Sequence, residues 1–134
     1  MALKVLKPRL KPLGQKLKSS REVRDTRYST DAKLRSMYKV KRWADVRADI
    51  LVRDLYRCQM CGTILTQGRD DDRAALVDHI IPAKLCPELF YEPTNLQACC
   101  RLCHATTCAD IEARYAGDAD AIAAAKRAVS PAAA

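Results

Sequence analysis

Val77-Asp78-His79-Ile80-Ile81-Pro82 lies between two Cys-x-x-Cys pairs, Cys58/Cys61 upstream and Cys100/Cys103 downstream, with His104 directly after the second pair. The chain has only two histidines, and both fall in this window, one beside a carboxylate and one beside a cysteine pair of metal-binding form. In Cys58-Gln59-Met60-Cys61-Gly62 a tight turn lets two thiolates point at one ion, and glycine follows where the backbone must turn sharply. One such pair is a weak signal. Here 38 residues separate the two pairs, more than in a simple zinc ribbon, so the intervening chain must build a substructure of its own.

Composition narrows the setting. At 134 residues there is room for one small domain and tails, and with one Trp, one Phe and five Tyr its core needs support from a metal or a partner. The chain shows no secretory signal and no run of ~18 apolar residues, which predicts a cytoplasmic protein with no membrane segment and with reduced thiols. Seven cysteines there point to zinc rather than to a disulfide framework. Residues 1–57 carry eight Lys and nine Arg against six acids, a net +11, whereas residues 58–134 carry a net −3. A basic arm beside a metal site favours a polyanionic partner, most plainly nucleic acid.

Punctuation divides the chain into a basic flexible arm (1–30), a central domain (31–115) and an Ala-rich helix or tail (116–134) to which no chemistry is assigned. From Asp31, its expected N-cap, an amphipathic helix runs through Leu34, Met37, Trp43, Val46, Ile50, Leu51 and Leu55, with a break near Val40. Its polar face carries Arg42, Arg47 and Arg53, candidates for nucleic-acid contact or an ordinary solvated face. Thr63–Thr66 reads as one strand and Ala75–Pro82 as a second, giving a hairpin, and Thr94 to Ala109 reads as a turn and a helix. Adjacent residues on a strand point to opposite faces, so one of Asp78 and His79 can meet a metal and the other a water, which a neutral imidazole can deprotonate.

The ordered set Cys58-x-x-Cys61, Asp78-His79-Ile80-x-Pro82, Asn95-Leu96-Gln97, Cys100-x-x-Cys103-His104 resembles the HNH endonucleases, in particular small phage- and prophage-type members with a four-cysteine zinc site. The similarity extends upstream through Tyr38-Lys39-Val40-Lys41-Arg42-Trp43 and covers roughly residues 38–112. It implies an α+β fold, a small ββα-metal (His-Me finger) domain with flanking helices and a structural zinc knuckle pair.

The resemblance also implies roles. His79 is the general base, Asn95 braces the loop and orients the base, and Asp78 and His104 hold a catalytic divalent ion, with Mg²⁺, Mn²⁺, Ni²⁺ and Zn²⁺ all open. Cys58, Cys61, Cys100 and Cys103 form a closed structural zinc site; a rival set replaces Cys103 with His104. Cys108, one helical turn from His104, is either a further ligand or a packed thiol, at a position where similar proteins often carry a basic residue. The expected activity is metal-dependent hydrolysis of DNA phosphodiesters, as nicks or double-strand breaks with weak sequence preference, by a monomer in the bacterial host cell, beside a phage terminase during packaging. The alternative is an idle zinc module that only binds nucleic acid, and a thiol-disulfide oxidoreductase is disfavoured because no βαβ pattern surrounds either cysteine pair.

Overall fold

The computed structural model describes residues 32–131; the basic arm expected at 1–30, the expected cap Asp31 and residues 132–134 lie outside the described residues. Helix α1 covers residues 32–38 and helix α2 spans Lys41–Arg53, with the interruption at the position expected. Its cause is local. Val40 is extended (φ −82°, ψ 151°) and serves as the N-cap of α2, its carbonyl accepting from the Trp43 N–H at 3.1 Å. Leu34 and Trp43 join Ile50, Ala83, Phe90 and Leu96 in one apolar cluster.

The sheet among the described residues pairs β1, Ala75–His79, antiparallel with β2, Leu96–Cys100, setting Asp78 opposite Gln97 and His79 opposite Leu96. This corrects the expected hairpin. Residues 63–66 make only isolated bridges, Arg57 to Ile64 and Thr66 to Ala74, and the partner of the Asp-His strand is the segment read as a turn entering a helix. β2 is buried along its whole length, so Leu-Gln-Ala-Cys-Cys lacks the alternation that marks a half-exposed strand. Leu51, Met60, Leu65, Ala98, Cys99 and the buried cysteines make a second cluster, and Val77 packs against both.

Helix α2 is fastened to this sheet by polar side chains. Arg53 donates to the carbonyls of Pro93 (2.8 Å) and Leu96 (2.7 Å), Arg47 donates to that of Ala75 (3.0 Å), and Asp54 accepts from the Ala98 N–H (2.8 Å). At Ala75, Leu96 and Ala98 these groups answer backbone atoms that the two-stranded sheet would otherwise leave open.

After β2 the chain continues through α3 (Arg101–Cys103), a π-helical turn (His104–Cys108) and α4 (Ala109–Arg114). Gly117, at φ 81°, turns it into α5 (Ala119–Val129), whose N-cap Asp118 accepts from the Ala121 N–H at 3.0 Å. Helix α5 buries Ile122, Ala123 and Lys126. The segment read as free of chemistry thus sends a lysine into the interior.

Leu55 and Tyr56 both adopt left-handed backbone (φ 56° and 51°) where α2 ends and the first knuckle begins. That conformation costs a non-glycine residue roughly 1–2 kcal/mol, while asparagine tolerates it better. Leu55 is 76 % exposed and surrenders no core contact. Leu55→Asn is therefore expected to stabilise the fold by up to about 1 kcal/mol, read as a higher Tm.

Candidate active site

Strand β1 delivers Asp78 and His79 to opposite sides, as strand geometry requires. The His79 ring stacks on Trp43 (centroids 5.4 Å, planes 15° apart) and touches Phe90 at 4.7 Å. Its Nε2 lies 3.0 Å from the Phe90 carbonyl, which can only accept, so the hydrogen sits on Nε2 and the lone pair on Nδ1. Nδ1 faces the Tyr38 hydroxyl at 3.4 Å. Burial, opposed by the Phe90 hydrogen bond, lowers the His79 pKa below its usual 6.5 and keeps the imidazole neutral. The Tyr38 pKa is raised, chiefly by burial and then by the charges of Asp78 and Glu112, so Tyr38 remains a phenol.

Asp78 is only 3 % exposed, and its two oxygens have different neighbours. Gln97 Nε2 (3.1 Å), Lys126 Nζ (3.0 Å) and Cys108 Sγ (3.8 Å) gather on Oδ2, whereas Oδ1 faces His104 Nε2 at 3.8 Å. Two ligands each ~2.1 Å from one ion can stand that far apart, so Asp78 Oδ1 and His104 suit a divalent cation with positions left open. Cys108 directs its thiol at Oδ2, away from the gap between Oδ1 and His104. The π-turn separates the two residues that the sequence had set on one helical face.

Asn95 spends its side-chain hydrogen bonds on Ile81 and not on His79. Its side chain makes a pair of hydrogen bonds with the backbone of Ile81, accepting from N–H at 2.8 Å and donating to C=O at 3.1 Å, and its own carbonyl accepts from Ile80 N–H. It clamps the two ends of the loop 80–95, which carries Phe90 and hence the carbonyl that fixes the His79 tautomer. Asp78, His79, His104, Tyr38, Glu112, Arg35 and Lys84 line one cleft of about 480 Å³. Of the arginines expected at nucleic acid, Arg47 and Arg53 hold the sheet, and Arg42 lies 4.3 Å over the Tyr91 ring.

Cys58, Cys61, Cys100 and Cys103 bring their sulfurs within 4.8 Å of one another, with Cys61 and Cys100 3.9 Å apart. Four thiolates on one zinc-sized ion stand about 3.8 Å apart. The cluster could hold a metal ion such as zinc, and it contains Cys103 rather than His104. Cys99, fully buried in the second apolar cluster, stays outside this group of four.

Lys126 is the residue that the sequence reading missed. Fully buried, it donates to Asp78 Oδ2, to the His79 carbonyl (2.8 Å) and to Glu112 Oε1 (2.7 Å). Burial alone would lower its pKa, but Asp78 and Glu112 outweigh that and the net direction is upward, keeping it charged. The only signal in the sequence is its register, on the face that also carries Ile122 and Ala123.

Residues 58–107 match the family model described as HNH endonuclease. The comparison with curated proteins gives no match, and neither does that with solved structures. Among the described residues no helix is long and apolar enough to cross a membrane.

The four-cysteine cluster joins the start of the domain to the strand end beside His104. Metal analysis of the purified chain is expected to give one thiolate-bound ion per molecule. Cys100→Ser is expected to lose it together with at least about 3 kcal/mol of stability, read by chemical denaturation.

Proposed function

We propose that the chain is a metal-dependent endonuclease that hydrolyses DNA phosphodiester bonds. The observation that carries this reading is that His79, with its lone pair on Nδ1, lines the same cleft as the facing pair Asp78 and His104. Water attacks phosphorus as His79 Nδ1 takes its proton, and the bond to the 3′-oxygen breaks as that oxygen takes a proton from solvent, leaving a 5′-phosphate and a 3′-hydroxyl. Asp78 and His104 would hold a divalent cation, Mg²⁺, Mn²⁺, Ni²⁺ or Zn²⁺, which when bound shields the charge growing on phosphorus and on the departing oxygen. Asn95 keeps loop 80–95 closed, and the Phe90 carbonyl keeps His79 in the tautomer that can accept a proton. Zinc in the four-cysteine cluster ties the start of the domain to its end and takes no part in the reaction.

Substrate affinity comes from charge. Arg35 and Lys84 at the cleft offer cations to the phosphates flanking the scissile bond, and the net +11 of residues 1–57 supplies affinity without reading bases, hence weak sequence preference. The resemblance to phage- and prophage-type enzymes supports a setting in the cytoplasm of a bacterial host, with the chain acting as a monomer beside the terminase that packages the phage genome.

The decisive experiment is supercoiled-plasmid cleavage with Mg²⁺, Mn²⁺, Ni²⁺ or EDTA. Wild type is expected to nick only with a divalent ion, and His79→Ala to lose about 10²–10⁴-fold in rate while retaining its cysteine-bound metal. DNA binding without cleavage in wild type would instead indicate the binding module. Lys84→Ala is expected to weaken DNA binding about two- to fivefold and to reduce by about one the slope of log affinity against log salt.

A further inference from the structure

The Asp78 carboxylate is held from one side only. Three donors converge on Oδ2, and one of them is a buried cation from a helix 48 positions along the chain, outside the segment that matches the family model. The Lys126 ammonium has three hydrogens and three acceptors, namely Asp78, the His79 carbonyl and Glu112. No donor is left over for substrate, and a fully buried Nζ cannot reach a phosphate in the cleft. Its contacts instead grip both members of the Asp-His pair, one by a side-chain oxygen and the other by its backbone.

We infer that Lys126 is a positioning residue for the proposed cleavage: it pins Asp78 by Oδ2 so that Oδ1 alone faces His104, where the two would hold a cation, and it anchors the end of β1 through the His79 carbonyl. The inference rests on the nuclease reading above. A carboxylate that keeps only the neutral Gln97 and Cys108 donors on Oδ2 can rotate more freely and present either oxygen, so the cation would settle in more than one place relative to His79. The ammonium also opposes a second cation at Asp78, so it trades tightness of metal binding for a single geometry. Helix α5 is in this account part of the site.

The test uses the full chain with Lys126→Met, which keeps most of the stem and removes the charge. Plasmid nicking is measured against both Mg²⁺ and DNA concentration, with the cysteine-bound metal assayed in the same preparation. The expected variant retains that metal, has a KM for DNA within about twofold of wild type, and loses at least about tenfold in kcat. Its half-activating Mg²⁺ concentration falls by about threefold or more because the opposing charge is gone. A purely structural lysine would change the melting temperature and leave the Mg²⁺ dependence alone; wild-type kcat and Mg²⁺ dependence in the folded variant overturn the inference.

Should Lys126→Met fail to fold, the wild-type chain decides through the NMR signal of its buried ammonium. That signal is expected to shift on titration with Mg²⁺, with a saturable half-point, and a signal that does not move while Mg²⁺ binds at the cleft overturns the inference. An inactive wild type would count against the nuclease reading, and the ammonium titration would still judge Lys126.

Discussion

A carboxylate cannot remain almost fully buried unless its charge is answered, and the arrangement around Asp78 follows from that requirement. Gln97 reaches it because antiparallel register places that residue directly across the sheet. Lys126 reaches it because α5 folds back over α4, and Glu112 completes the ammonium's shell. Two of these three partners lie on helices downstream of the sheet, so the strand that carries Asp78 and His79 is locked only when the C-terminal helices are in place. Removing Lys126 would leave an uncompensated carboxylate in the interior, which costs far more than losing an exposed ion pair such as Lys41–Asp45.

Around that polar centre the apolar core is thin and split. Phe90, Trp43 and Ile50 build one cluster, and cysteines supply much of the other. A core built from so many small thiols buries little hydrocarbon, so cross-links and side-chain clamps carry the load that larger domains give to packing. The Arg47, Arg53 and Asp54 contacts are such clamps, joining α2 to backbone atoms of both strands and of the loop before β2. Aromatic rings pack against His79 from several directions, and the same rings that stabilise the domain orient the imidazole.

What was legible in the sequence were the residues whose type carries chemistry. The four cysteines converge and Asp78 faces His104, because paired Cys-x-x-Cys and a lone Asp-His leave few arrangements. The break near Val40 was legible too. Strand β2 was not: a strand buried on both faces shows no period, and Leu-Gln-Ala-Cys-Cys has no β-branched residue. Thr63–Thr66 misled for the opposite reason, since its β-branched composition suits a strand but the knuckle leaves it only single bridges. Lys126 was hidden because an isolated lysine in an alanine helix ordinarily points to water, and only tertiary packing reveals its partners.

The π-helical turn at His104–Cys108 has a bearing on which parts of this chain can change length. A helix advances about 100° per residue, so one residue gained or lost there would rotate everything downstream by about that angle. His104 would keep its place while Cys108 and Glu112 turned away from Asp78 and from Lys126. The exposed tip at Gln67 and Gly68 carries no helical phase to preserve and can absorb insertions. Variation in length should therefore concentrate before β1, leaving the spacing from Cys100 to Glu112 fixed.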